Sequence, residues 1–382
     1  MYTIYLTTEC NFKCTYCYEG YSKHQSITSE TLIKAIEFIF RNEKSKKVRI
    51  GFMGGEPLLK KNMIFQTVAY IDKHYKDREV VYHMTTNCSF MDDELIEMMK
   101  QHDFRLRLSF DGTEETHNLN RQVKSGESKY QMILKNIHKV KDNNISYCVR
   151  MTVADNTIKH IFKNIKYLHE QKLDSISMVL DVNMDFTKEL GEEFKTQMEF
   201  VAEYYLEEMK ADRKFGLDLF NGKYFTVVGK YENCFAMCGA GQTSFQIMPD
   251  GKIYPCSYLT NNEDFSIGDV NSSASSNLAR KIANGLINKE SQKCNGCEIQ
   301  STCHGMKCGY LNYLKTGYIN VPSQLTCRQE KIIYPLLTDI LTKLVQEKNS
   351  DLSLFKVYLD FIERDKVELT AIGKKVKQHL SV

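Results

Sequence analysis

Cys10-Asn-Phe-Lys-Cys14-Thr-Tyr-Cys17 is the stretch on which the reading of this chain turns. It follows directly on a β-rich run at residues 3–8, so three thiols share one short loop at the end of a strand. Three thiolates can hold three irons of a four-iron cube and leave the fourth iron open to a small molecule, as a catalytic site requires. A zinc site or a closed structural cluster would need a fourth ligand, and Cys88 or His24 could supply one.

Working outward from this loop, short β-rich runs alternate with amphipathic stretches. Strands are expected at residues 3–8, 48–53, 80–86, 105–110, 146–153 and 175–182, and helices at 29–42, 61–75, 92–101, 129–142 and 159–171. Ser29 and Asp92 suit the N-cap positions of their helices. Six βα units in series predict an α/β fold, a partial (β/α)6 TIM-like barrel, with chemistry carried on the loops after its strands. A charged helix over 188–210 closes this region. From Tyr231 to Cys327 the chain becomes Gly- and Cys-rich with little helical period, as in a small domain stapled by metal. Residues 261–277 read as loop, and the tail reads as helices over 331–347 and 352–364. The expected division is 1–212, 213–330 and 331–382.

The chain has 382 residues, with 51 Lys and Arg against 48 Asp and Glu, a net charge of +3. So small an excess does not point to nucleic acid or an anionic membrane as partner, and any basic pocket must be local. No apolar run approaches the roughly 18 residues of a membrane span. No signal peptide precedes the first strand, which makes the cytoplasm the expected location. Thirteen cysteines are too many for packing alone; clustered in a reducing compartment, they read as metal ligands.

The loop Cys10–Cys17 resembles the signature of the radical S-adenosylmethionine (radical SAM) superfamily. Three further stretches, each at a strand end, agree: Gly54-Gly55-Glu56-Pro57, Thr85-Thr86-Asn87 and Ser109-Phe110-Asp111-Gly112. The resemblance implies that Gly54, Gly55 and Glu56 receive the amino group of SAM, as exposed carbonyls and a carboxylate suit an ammonium. It places Tyr16 near the adenine, Asn87 at the cofactor rim, Ser109 and Asp111 at the ribose, and Arg121 or Arg150 at the methionine carboxylate.

Cys238, Gly251, Cys256, Cys294, Cys297, Cys303, Cys308 and Cys327 are spaced in a way that resembles the SPASM domain, with one departure: four residues separate Cys303 from Cys308 where the family usually has three. The resemblance implies two auxiliary [4Fe–4S] clusters beside the catalytic one. Cys234, Cys238, Cys256 and Cys308 would hold the first, and Cys294, Cys297, Cys303 and Cys327 the second. Without Cys234 the first auxiliary cluster would keep an open iron for a substrate thiolate. A pair of zinc ribbons is the plainer alternative. Cys88 and Cys148 remain, both at strand positions and read as small core fillers; Cys88, at the rim, could also give a hydrogen atom to a substrate radical.

The implied chemistry is removal of an unactivated hydrogen atom by a 5′-deoxyadenosyl radical generated from SAM. The leading expectation is maturation of a ribosomally made peptide by a thioether or carbon–carbon crosslink. Because the first strand starts at Thr3, leader recognition would fall to a separate protein or to the tail, and the electrons would come from a flavodoxin or ferredoxin. A sulfatase-type maturase that makes formylglycine is the runner-up. Its relatives carry an Asp directly after the cysteine that matches Cys256, and Ser257 stands here, a poor base at neutral pH. Peptide epimerisation, with Cys88 or Cys148 as hydrogen donor, is a third reading. A non-enzymatic electron carrier would explain the cysteines but leave Gly54–Pro57 idle.

Overall fold

The computed structural model describes residues 1–20, 24–213, 215–231, 235–272, 274–347 and 353–380. Two compact units divide the chain. The first comprises Met1–Phe110, His117–Arg150 and Cys238–Leu286; the second comprises Asp111–Thr116, Met151–Met237 and Ile287–Val382.

The α/β class stands as read from the sequence. Strands β1 (Tyr2–Thr7), β2 (Lys47–Gly54), β3 (Glu79–Thr86), β4 (Asp103–Ser109) and β5 (Ser146–Val153) pair in parallel in that order. Helices α1 (Ser29–Asn42), α2 (Lys61–His74) and α3 (Asp93–Gln101) follow the first three strands in the chain; α4 (Glu114–Asn120) and α5 (Tyr130–Asp142) follow β4, and α6 (Ile161–Glu170) follows β5. Parallel neighbours require such crossovers, because their ends lie at opposite edges of the sheet. Asp92 caps α3, accepting from the Leu95 N–H at 3.0 Å. The cap of α1 is Thr28 and not Ser29: the Thr28 hydroxyl accepts from the Thr31 N–H at 3.1 Å, and either hydroxyl alone would suit the sequence.

One face of this sheet carries the core. Register sets Tyr2 beside Ile50 and Ile4 beside Phe52, and continues Ile50 to Tyr82 and Tyr82 to Phe104. All six are buried. Tyr2 meets the edge of Phe38 on α1 at 6.3 Å, which identifies this as the helix-covered face. Burial of side chains of this size stabilises by about 1.5–3 kcal/mol each.

The second unit holds β6 (Ser175–Leu180), which pairs in parallel with β7 (Gly216–Leu217), and the two-residue strand β8 (Gly229–Lys230). Between them run α7 (Lys188–Lys210) and α8 (Asp218–Val228). The Cys-rich segment returns to the first unit as β9 (Phe245–Ile247), β10 (Lys252–Tyr254) and β11 (Gly268–Asp269). β9 lies parallel to β1 on the edge away from β2, and β10 and β11 continue antiparallel. The Cys-rich segment is thus partly an extension of the first sheet. It also holds more helix than its composition implies, in α9 (Ser276–Gly285) and α10 (Gly309–Thr316). Ser275 caps α9 through the Leu278 N–H at 3.1 Å.

The first tail helix, α11 (Gln324–Gln346), begins seven residues before the expected 331 and takes in Cys327. Ser323 starts it by accepting from the Thr326 N–H at 3.1 Å. It packs on α7 and α8. Helix α12 (Ser353–Arg364), strand β12 (Glu368–Leu369), paired antiparallel with β8, and α13 (Ala371–Leu380) complete the unit.

Candidate functional site

The three-cysteine loop leaves β1 and is held from one side by the segment after α4. Thr15 donates its N–H to the Asn120 carbonyl at 3.0 Å, Lys13 donates to Gln122 at 2.8 Å, and Lys124 donates back to Asn11 at 3.1 Å. The Thr15 hydroxyl adds a bond to Asn120 Oδ1 at 2.6 Å. Cys10 and Cys14 are half-buried and Cys17 is exposed. Burial pushes the Cys10 thiol up to about 11.

Gly54 and Gly55 back the loop from the other side. Gly55 donates its N–H to the Thr7 carbonyl at 3.0 Å, and Glu56 donates to the Glu9 carbonyl at 2.8 Å. A Cβ on Gly54 would lie 2.0 Å from the Thr7 oxygen, and one on Gly55 would lie 2.2 Å from the Glu9 oxygen. Gly54 also sits at φ +135°. Both positions therefore admit glycine alone: two chain segments touch backbone to backbone, and the carbonyls of the turn are left bare of side chains.

Glu56 is fully buried. Its carboxylate accepts from the Thr86 hydroxyl at 2.7 Å, the Asn87 N–H at 2.7 Å and the Leu58 N–H at 3.0 Å. Desolvation nevertheless raises its pKa to about 7. It ties the end of β2 to the end of β3. Asn87 continues the chain of contacts: its Nδ2 donates to Asn11 Oδ1 at 2.8 Å, inside the cysteine loop. Cys88 follows at φ +61° with its sulfur wholly buried. Desolvation pushes its thiol pKa far up.

Arg121 and Tyr16 are brought together, with the guanidinium 5.4 Å from the ring centroid. Arg121 also reaches the Arg150 carbonyl at 3.4 Å. Ser109 ends β4 opposite Arg150 on β5. Asp111, in the second unit, is buried and accepts from the Thr152 N–H at 2.9 Å.

Tyr18, directly after Cys17, was not singled out by the sequence. Its ring lies 4.7 Å from that of Tyr258, and its phenol hydrogen-bonds to Ser257. The cysteine loop thereby meets the residues that follow Cys256. Tyr18 directly after Cys17 and Tyr258 two residues after Cys256 were the signal available.

The auxiliary ligands distribute as follows. Cys238 and Cys256 lie in the first unit and Cys308 in the second, while Cys234 lies outside the described residues. Ala236 bridges Cys308 in antiparallel fashion. Cys294, Cys297, Cys303 and Cys327 line one cavity of about 1030 Å3 in the second unit. Cysteine is the residue type that holds a four-iron cube, and four of them line this hollow. Glu330, buried on α11, accepts from the His304 N–H at 3.0 Å and pairs with Lys223. It thus anchors the residue after Cys303, a role the sequence did not disclose. Among the described residues, no three His, Cys, Asp or Glu side chains gather as a single metal ion would require. No helix is long and apolar enough to cross a membrane, also among the described residues.

Comparison with known proteins agrees with this geometry. Residues 4–168 match the radical SAM superfamily, and residues 238–298 match SPASM, an iron–sulfur cluster-binding domain. The cysteine-type anaerobic sulfatase-maturating enzyme of Clostridium perfringens (strain 13 / Type A) is 23% identical over 316 residues, 78% of this chain and 85% of the relative. The radical SAM cyclopropyl synthase TigE of Paramaledivibacter caminithermalis is 23% identical over 363 residues, 86% of this chain and 71% of the relative. Among solved structures, native anSMEcpe with bound AdoMet and the Kp18Cys peptide superposes with a TM-score of 0.76 at 20% identity, covering 90% of this chain and 99% of that one.

Proposed function

This chain belongs to the radical SAM superfamily and carries a SPASM iron–sulfur region, and from that premise we propose that it matures a ribosomally made peptide, forming a thioether or carbon–carbon crosslink. The observation that carries the reading is the three-cysteine loop clamped between Gly54–Gly55 and the Asn120–Lys124 segment. Cys10, Cys14 and Cys17 would hold the catalytic cluster, with Gly54, Gly55, Glu56, Asn87, Tyr16, Ser109, Asp111 and Arg121 or Arg150 around SAM. Cys294, Cys297, Cys303 and Cys327 would hold one auxiliary cluster, and Cys238, Cys256 and Cys308, with Cys234, the other.

When bound, the cluster and SAM supply one-electron chemistry that ends in hydrogen abstraction from carbon. The protein's part is positional. The Glu56 carboxylate locks the ends of β2 and β3 so that the Gly54 and Gly55 carbonyls face an ammonium without rearrangement. Arg121, held over Tyr16, fixes a cation and an aromatic face beside the same loop. A flavodoxin or ferredoxin would deliver the electron.

A peptide or protein as substrate class is supported by the sulfatase-maturating name of one relative and by the peptide named with the anSMEcpe structure. Formylglycine formation is the second reading, favoured by the coverage of the sulfatase-maturating relatives. Against it stands Ser257, engaged by the Tyr18 phenol where a carboxylate base would be wanted. Epimerisation would need a hydrogen donor, and Cys88 is the candidate, with its sulfur enclosed.

Anaerobic incubation of a candidate peptide with the reconstituted protein, SAM and dithionite, read by mass spectrometry, separates these outcomes. Loss of two hydrogens supports crosslinking. An unchanged mass with deuterium uptake at Cα supports epimerisation, and Cys or Ser converted to formylglycine supports the sulfatase-type reading. Absence of 5′-deoxyadenosine among the products overturns all three.

A further inference from the structure

Strand β4 alternates exposed and buried positions along its length. Phe104, Leu106 and Leu108 are buried on the helix-covered side, so Arg105 and Arg107 face the other way. Register places Arg105 opposite His83 and Arg107 opposite Thr85. On β2, Arg49 shares this face, because it lies two residues from Gly51, whose Cβ would meet the Thr3 side chain at 3.0 Å. Arg49, Arg105 and Arg107 are all exposed. Parallel sheets ordinarily bury both faces under apolar side chains. This one presents three guanidinium groups in a chain whose net charge is only +3.

The carboxylates on this face are already engaged. Asp103 receives two bonds from Arg105, each 3.2 Å, and Glu79 pairs with Lys46 at 2.8 Å. Neither Arg49 nor Arg107 forms an ion pair or hydrogen bond with another described residue. His83 lies between them with its Nε2 buried and without a hydrogen-bond partner. Burial, followed by Arg105, Arg107 and Arg49, lowers the proton affinity of that ring, which puts all three guanidinium groups within electrostatic reach of it.

We propose that this face binds an acidic segment of the peptide substrate, with Asp or Glu carboxylates taken by Arg49 and Arg107. A guanidinium fork matches a carboxylate in two parallel bonds. Arg49 is level with Val81 and Arg107 with Thr85, four residues further along and two strands away, so the two stand about 16 Å apart, a span of about five residues of an extended peptide. The strands run from this cationic face toward the rim where β1 and β2 meet the cysteine loop, so a segment held here would bring its neighbour to the site of chemistry. The inference rests on the peptide-directed reading above and names the kind of peptide.

The test uses the reconstituted holoenzyme and two fluorescein-labelled peptides of equal length, one alternating Glu and Ser, the other alternating Gln and Ser. Fluorescence anisotropy at low salt should show the Glu peptide binding about tenfold more tightly. The preference should shrink in 0.5 M salt, as about 3–10 Å screening lengths require. It should vanish in Arg49→Gln/Arg107→Gln and persist in Arg49→Lys/Arg107→Lys, which keeps the charge. Equal binding of the two peptides, a preference unchanged by the Gln substitutions, or tighter binding of an oligothymidylate of matched charge would overturn the proposal. Reductive SAM cleavage by the unsubstituted protein checks the functional reading separately. Cleavage without acid preference removes the surface alone; acid preference without cleavage removes the functional reading alone.

Discussion

The guanidinium of Arg121 lies 5.4 Å from the centroid of the Tyr16 ring, and both side chains are buried, at 7% and 9% exposure. One residue comes from the cysteine loop and the other directly follows α4, so the contact joins the two segments proposed to build the cofactor side of the site. A desolvated cation–π pair of this kind contributes about 0.5–2 kcal/mol. Tyr16→Leu should weaken SAM binding by about three- to thirtyfold, while Tyr16→Phe should stay within about threefold of the parent. Equilibrium dialysis with the reconstituted protein reads both.

Glu56 sets a pH dependence whose sign follows from its raised pKa. The folded value of about 7 exceeds the ordinary 4.5 because burial penalises the charged form. Its contribution to stability is therefore full below about pH 4.5 and is lost as pH rises through about 7. The shift corresponds to roughly 3 kcal/mol at most. Glu56→Gln removes the ionisation, so the melting temperature of the parent relative to Glu56→Gln should be higher at pH 5 than at pH 8. A difference independent of pH would remove this account.

Gly54→Ala and Gly55→Ala should each fail to hold the catalytic cluster. The new methyl groups would meet backbone oxygens at 2.0 and 2.2 Å, and backbone cannot swing aside as a side chain can. The expected cost is about 3 kcal/mol or more. Iron analysis after anaerobic reconstitution should show about four irons fewer per chain than the parent.

Cysteine substitutions should divide into two classes. Cys14→Ala should abolish formation of 5′-deoxyadenosine. Cys297→Ala and Cys327→Ala should remove about four irons from an expected twelve yet leave SAM binding intact. Loss of SAM binding in the second class would break the assignment of that cavity to an auxiliary cluster.

Glu330→Ala should loosen the Cys303–Cys308 segment without touching a thiol. It deletes the acceptor of the His304 N–H and leaves the partly buried Lys223 without its partner. Removing one member of such a pair costs about 3–5 kcal/mol. Electron paramagnetic resonance of the reduced protein should show a broadened or diminished auxiliary signal, with the catalytic cluster's signal retained. Glu330→Gln, which can still accept from His304, should fall between the two.

The order of strands and helices was legible because period-2 and period-3.6 apolar patterns each demand a buried face, and both are local properties. The cysteine loop was legible for a like reason: Cys10, Cys14 and Cys17 lie within eight residues, so spacing alone confines their sulfurs to one turn of chain. Asp92 as a cap was local too. Where two hydroxyls stood side by side at Thr28 and Ser29, local chemistry could not choose between them, and the backbone geometry did. Helices α9 and α10 were passed over because they are short, ten and eight residues, and sit within a Gly- and Cys-rich stretch.

What only the tertiary structure decided depends on partners distant in the chain. Pairing of β9 with β1 joins residues more than 240 positions apart. The bond from Glu56 to Thr86, the stacking of Arg121 on Tyr16 and the anchoring of His304 by Glu330 are of the same kind. The cationic face of the sheet is the clearest case. Arg49, Arg105 and Arg107 are unremarked in a nearly neutral sequence, and only parallel register sets them on one surface. Residue type and spacing determine which atoms can do chemistry; strand register and burial determine which of those atoms meet, because charge and hydrogen bonding act through space and not along the chain.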